Sequence, residues 1–348
     1  MPNIFQRLHA RLRRLSGRYP RTAWICHPLF LRHNPGGSHP DRPERIKAIE
    51  EALIIEGIWP QLQMIQAAEA GDSQLALVHP RHYLRQLENL QPPPGKIRTL
   101  DDDTVINHDS LPAARFAAGA VIQAVDMVMG KKAWHAFCAV RPPGHHAHSA
   151  RAGGFCLINH TAVGAMHAIA AHRLQRIAIV DFDAHHGDGT AEIFRNDSRV
   201  LFLNAYESGI FPYPDPQADN EANMVHTAFH EGDGSLTFRR RIRRDWLPLL
   251  EAFRPELLIL GAGFDGHADD ETGRLKLHEA DYAWLTYRLI QAAASCKGRI
   301  VSVLEGGYTL DSLARSASAH IHVLAGFSKA DYVARYNRRL RRLPLRSR

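Results

Sequence analysis

The chain has 348 residues, 45% hydrophobic content and a formal net charge of +7. This length and composition exclude a disordered chain and fit one large α/β domain with a sizeable core, and no run of about 18 uncharged apolar residues offers a membrane span. The charge is uneven: residues 1–21 hold six arginines and no acid, and 335–348 hold seven more, so the body between them is mildly acidic and its charge is no nucleic-acid footprint.

Residues 1–21 read as a basic N-terminal extension, whose Arg-rich, acid-free composition is also that of a mitochondrial presequence. TAWICHPLF (22–30) reads as a strand, and helical periodicity follows over 43–57, opened by Pro43 just past Asp41. A second helix is expected over 79–90, then a rigid QPPPG loop (91–95) and a helix over 112–130 entered through Ser110 and Pro112. HAFCAV (135–140), RIAIVDFD (176–183), RVLFLNA (199–205), LLILGAGFD (257–265) and RIVSVLEGG (299–307) read as buried strands. Helices are expected over 160–173, 237–253, 278–296 and 309–325, the last with Asp311 in its first turn, and 328–348 reads as a basic C-terminal helix or tail. This alternation predicts a mostly parallel sheet covered by helices on both faces. Cys26, Cys138, Cys156 and Cys296 form no CxxC pair, so free thiols in a reducing, cytoplasmic setting are expected.

Polar residues recur at the carboxyl ends of four of these strands, the edge at which open α/β sheets bind ligands. In VDFDAHHGDGT (180–190), Asp-x-Asp-x-His sets Asp181, Asp183 and His185 on one face by the period of two. A carboxylate and an imidazole suit zinc or another divalent metal, and Asp265 in LGAGFDGH offers a third ligand, leaving a coordination position open as in catalytic sites. Taken singly, each is as readily a cap, a turn residue or a core histidine. RPPGHHAHSARAGGFC (141–156) holds His145 and His146 in a stiff loop where carboxylates can set their charge, whereas His148 has no assigned role. LEGGY (304–308) presents the Tyr308 hydroxyl where a donor would stabilise an oxyanion; a tyrosine capping the core is the plainer alternative.

These segments, with HPDRPERI and LVHPRHYL before them, resemble the histone deacetylase family, whose GHH, DxDxHHGxG, GFD and GGY motifs occur here in order between about His27 and Leu324. The resemblance is to class II-like, bacterial-type members and implies the arginase/deacetylase fold, a three-layer αβα sandwich around a mostly parallel eight-stranded sheet in a catalytic domain spanning 22–327. It implies one zinc on Asp183, His185 and Asp265, with His145 and His146 as the paired histidines and Asp181 and Asp188 as their carboxylate partners. It makes Tyr308 the residue that polarises the substrate carbonyl. Phe155 and Phe211 would flank the acyl-lysine tunnel, Gly154 would offer its carbonyl to the substrate amide, and Asp103 would hold the substrate backbone. A potassium ion near the zinc is implied as well, on Asp181, backbone oxygens of Asp183 and His185, and Asn204, where serine is common.

Two departures bear on the substrate. Thr272 stands where class II relatives commonly have a tunnel-lining leucine and where a glutamate favours polyamines, and Gly153 replaces a common methionine, which widens the entrance. The expected activity is hydrolysis of acyl-lysine in proteins or peptides. Acetylpolyamine or other small-amide hydrolysis is a sibling reading, and a two-manganese ureohydrolase is disfavoured because GFDGH supplies a single aspartate. A non-enzymatic acyl-binding module and nucleic-acid contact through the Arg-rich ends remain open, as does homo-oligomer formation.

Overall fold

The buried strands are continuous apolar runs because both faces of a parallel sheet are covered, which leaves no solvent face to alternate towards. In the computed structural model, which describes residues 22–213 and 221–326, the sheet strands are β1 (Ala23–Cys26), β2 (Gln63–Gln66), β5 (His135–Cys138), β6 (Ile177–Asp181), β7 (Val200–Glu207), β8 (Met224–Phe229), β9 (Leu257–Ala262) and β10 (Ile300–Leu304). A hairpin of β3 (Ile97–Thr99) and β4 (Val105–Asn107) stands apart from it. The sheet has eight strands in the order β2-β1-β5-β10-β9-β6-β7-β8, every neighbouring pair parallel, as the expected fold requires. The basic segments 1–21 and 328–348 lie outside the described residues.

The helices pack on this sheet through apolar faces. Ser110–Met129 is long and apolar enough to cross a bilayer, but most of it is buried against the sheet and the helix His160–His172, where alanines and Gly164 permit close approach. Residues 237–253 form two helices rather than one, Ser235–Asp245 and Leu247–Phe253. Pro248 is the reason: it has no N–H to donate and its ring crowds the carbonyl of the preceding turn. At the break, Trp246 is buried and its indole N–H donates to Thr227 Oγ1 at 2.9 Å. The four cysteines are free thiols.

The register carries the site. Asp181 lies beside Gly261 of β9 and Asn204 of β7, so the ends of the three strands are level and their outgoing loops meet over one crevice. The adjoining end of β10 delivers Glu305 to Tyr308 to the same edge.

Candidate metal and acyl-hydrolysis site

Asp183 and His185 leave β6 and Asp265 leaves β9, and their donor atoms all lie within 4.8 Å of one another. His185 Nδ1 is 3.0 Å from Asp183 Oδ1 and 3.0 Å from Asp265 Oδ2. The backbone fixes the remaining carboxylate oxygens, Gly306 N–H donating to Asp183 Oδ2 at 2.7 Å and Ala184 N–H to Asp265 Oδ1 at 2.8 Å. Gly306 has to be glycine, since a Cβ there would collide with both carboxylates.

Two buried carboxylates with one imidazole between them form a charge deficit. Burial and then the Asp183 charge push the Asp265 carboxyl up to about 7. Burial disfavours a charged His185, yet hydrogen bonds to Asp183 and Asp265 outweigh it and raise the imidazole to about 10. Two hard oxygens and a nitrogen at this spacing fit zinc, with a position left for substrate or water.

The paired histidines sit beside this trio, and their surroundings shift them in opposite directions. His145 Nδ1 meets Asp181 Oδ2 at 3.0 Å, and although burial opposes it, the Asp181 and Asp183 charges raise the ring well above the ordinary histidine value. His146 Nδ1 donates to Asp188 Oδ1 at 2.7 Å, and burial, followed by the His145 charge, lowers it to about 4. A neutral His146 with its proton on Nδ1 leaves the Nε2 lone pair free. The His146 and His185 rings are 6.1 Å apart, close enough for one water or one carbonyl to lie between them.

Tyr308 follows the Gly306-Gly307 turn, and its buried phenol is raised well above the ordinary tyrosine value. Asp270 clamps the Tyr308 backbone, Oδ2 accepting the Tyr308 and Thr309 N–H groups at 2.8 and 3.0 Å. Thr272 serves that clamp, its hydroxyl and N–H both donating to Asp270 Oδ1. Phe155 stands edge-on to Tyr308 with centroids 5.7 Å apart, and Phe211 edge-on to His146 at 4.9 Å. Phe155 adopts φ +68° after Gly154 at φ +54°, a conformation that costs a side-chain-bearing residue about 1–3 kcal/mol and turns its ring towards Tyr308. Thr104 ties this turn to the loop of Asp103 through a hydrogen bond from Phe155 N–H at 3.1 Å. The Asp103 carboxyl is raised by burial and by Asp101. A cleft of about 1220 Å³ runs past Asp103, Gly153, His146, Asp188 and Phe211. Asn204 lies beside Asp181, its amide oxygen accepting Gly187 N–H at 3.3 Å.

Sequence reasoning misses the scaffold behind these groups. Buried Asp41 gathers Arg45, Arg141 and His33, with both arginines 2.7 Å from its Oδ1. Arg45 also donates to Gly307 O at 2.7 Å and lies 4.7 Å over the Tyr308 ring, so this knot anchors the tyrosine turn. Glu305 Oε2 accepts Gly144 and His145 N–H at 2.7 and 3.1 Å, fastening the histidine loop to β10. His148, to which the sequence lends no role, lies 2.9 Å from Asp188 Oδ2 and so shares the His146 carboxylate.

Comparison with known proteins places the family and the fold. Residues 39–324 match the histone deacetylase domain model. The chain is 34% identical to a type-2 histone deacetylase 2 of Dictyostelium discoideum over 87% of this chain and 21% of that protein. It is 34% identical to a probable deacetylase of Archaeoglobus fulgidus over 88% of this chain and 87% of that one. A mouse polyamine deacetylase, HDAC10, is 36% identical over 82% of this chain and 44% of its own length. The crystal structure of the HDA15 HD domain superposes with a TM-score of 0.82 at 32% identity, covering 88% of this chain and 89% of that one. With its fold, its motifs and most of its length accounted for in this way, the chain belongs to the histone deacetylase family of hydrolases.

Proposed function

We propose that this protein is a zinc-dependent deacylase that hydrolyses the amide of acylated lysine in proteins or peptides. The observation that supports this most is the convergence of Asp183, His185 and Asp265 beside His146, bound to Asp188, and His145, bound to Asp181. Zinc held by that trio would supply Lewis acidity, polarising the acyl carbonyl and acidifying a water towards a pKa of about 7. His146 Nε2 takes the proton of the attacking water and later delivers it to the leaving amine, while Asp188 keeps the other ring proton on Nδ1. His145, paired with Asp181, supports the charge balance beside the developing negative charge. The Tyr308 hydroxyl donates to the acyl oxygen as it becomes an oxyanion.

Phe155 and Phe211 form the walls for the lysine methylenes, the Gly154 carbonyl accepts the substrate amide N–H, and Asp103 holds the substrate backbone. A potassium ion on Asp181 and Asn204 accompanies the zinc in this reading, supported by their adjacent register. Thr272 places no charge at the tunnel, since its hydroxyl is turned to Asp270, which favours a neutral acyl-lysine over a polyamine. Acetylpolyamine hydrolysis is the second reading, favoured by Asp101, Asp102 and Asp103 along the cleft, a run of carboxylates suited to a cationic chain. The basic ends, cytoplasmic placement and any nucleic-acid contact stay proposals drawn from composition.

The deciding experiment is a panel of acyl-lysine peptides and acylated polyamines on zinc-loaded protein, with Asp265→Ala as the blank. Faster turnover of peptides, absent in the blank, is the expected result. Equal rates from wild type and blank would overturn the metal mechanism, and a higher kcat/KM for polyamines would reverse the order of substrates.

A further inference from the structure

A second convergence of metal-binding donors lies away from the acyl site, where the helices Ser110–Met129 and His160–His172 end. Gly164 lies against Val121 and Val125, so the two helices touch closely and run in the same sense. Farther along both, His167 Nε2 and His172 Nε2 approach the same oxygen, Asp126 Oδ1, at 2.8 and 2.7 Å. The imidazole centroids are 5.8 Å apart with planes 80° to each other, and all three donor atoms lie within 4.8 Å. Asp126 is 52% exposed, which leaves solvent access on one side.

Three physical arguments point to a cation here. Two parallel helices that end near one another bring their partly negative C-terminal ends together, and that charge favours a positive ion. Neither His167 nor His172 uses Nδ1 for a partner among the described residues, so each ring can keep its proton on Nδ1 and offer the Nε2 lone pair. Zinc–ligand bonds of about 2.0–2.1 Å need donors roughly 3.3 Å apart, so each histidine nitrogen has to draw back from Asp126 Oδ1 by only about half an ångström. The cluster His267, His278 and Glu279 fails the same test despite similar spacing. There His267 Nδ1 already accepts Asp269 N–H at 3.0 Å and Nε2 faces Glu279 at 3.2 Å, so coordination through Nε2 would leave that ring without a proton.

We propose that Asp126, His167 and His172 bind a divalent transition-metal ion of the zinc class, clipping the two helices together at a site separate from acyl hydrolysis. Two imidazoles and one carboxylate form a borderline donor set that prefers zinc, nickel or copper to calcium or magnesium. Water from the open side completes the coordination.

The test is equilibrium dialysis of the full chain against zinc chloride, with metal content and thermal midpoint as readouts. His167→Ala with His172→Ala should lower bound zinc by one equivalent relative to wild type and leave the hydrolysis rate unchanged. The same pair introduced into the Asp265→Ala chain should again remove one equivalent, along with the zinc-induced rise in thermal midpoint, and this arm does not depend on the acyl site working as proposed. Equal zinc content with and without the two histidines, in either background, would overturn the proposal. Asp126→Asn serves as a milder check, with an expected weakening of at least several-fold in zinc affinity.

Discussion

Tyr308 and Asp188 are the residues at which the proposed chemistry is most exposed to test. Removing the Tyr308 hydroxyl removes an oxyanion donor, and such donors are worth about 3 kcal/mol in catalytic sites. Tyr308→Phe keeps the ring contacts with Phe155 and Arg45, so kcat should fall about a hundredfold or more while KM and thermal midpoint stay near wild type. A tenfold loss or less would mean that the phenol is only a cap on the core. Asp188→Asn tests the proton path differently. An amide can donate to His146 Nδ1 and so move the ring proton to Nε2, where it blocks the lone pair that accepts from water. Turnover should drop by about 10²-fold or more with zinc content unchanged, because Asp188 is not among the metal donors. Asp183, His185 and Asp265 stand out in the sequence because each follows the end of a buried apolar run, although β6 ends at Asp181, so the expected strand period does not itself set the faces of Asp183 and His185. The Asp41 knot is not legible there, since Asp41 and Arg141 are 100 residues apart and neither belongs to a spacing that links them.

At the scale of elements, strand ends position the site and glycine sets how close they come. A Cβ at Gly306 would strike the carboxylates of both Asp183 and Asp265. Gly306→Ala should therefore abolish zinc retention and activity while the far-ultraviolet spectrum stays that of wild type. Normal zinc stoichiometry in this variant would show that the end of β10 has slack which the geometry denies. The same scale explains what could be read in advance. β6, β9 and β10 lie inside the sheet, buried throughout, and their apolar runs announce them. β2 and β8 are the edge strands, and β2 alternates half-buried with exposed residues over only four positions, too short and too polar to stand out. The helix Asp188–Phe194 is hidden for another reason: it starts within the glycine-rich stretch after His185, which reads as a turn. The break at Trp246 was legible in principle through Pro248, but the apolar period continues across it and masks the boundary.

The whole molecule carries buried neutral histidines whose protonation is linked to its stability. His320 is fully buried between two helices and the sheet, its Nδ1 2.6 Å from Thr286 Oγ1 and its Nε2 2.8 Å from Ser302 Oγ. Thr286 spends its own proton on Tyr282 O, so the His320 ring donates from Nδ1 and accepts from Ser302 at Nε2, which satisfies the neutral form completely. Burial lowers His320 to about 3, and burial lowers His160, which faces Pro142 O at 2.9 Å, to about 4. In the unfolded chain both titrate near 6.5. Below that value the unfolded state binds protons that the folded state refuses, so their stabilising contribution is complete above about pH 6.5 and shrinks as pH falls towards 4. Each group can remove up to about 1.4 kcal/mol per pH unit over that window. In urea unfolding at pH 7.5, 6 and 5 these two rings should contribute a loss of a few kcal/mol and an uptake of close to two protons by pH 5, read against variants that lack them. His320→Asn should be less stable than wild type at pH 7.5, because Ser302 loses its acceptor, yet its decline with acid should be shallower by close to one proton. A parallel decline in both proteins would mean that His320 is charged in the folded state, against the hydrogen-bond pattern that makes it neutral.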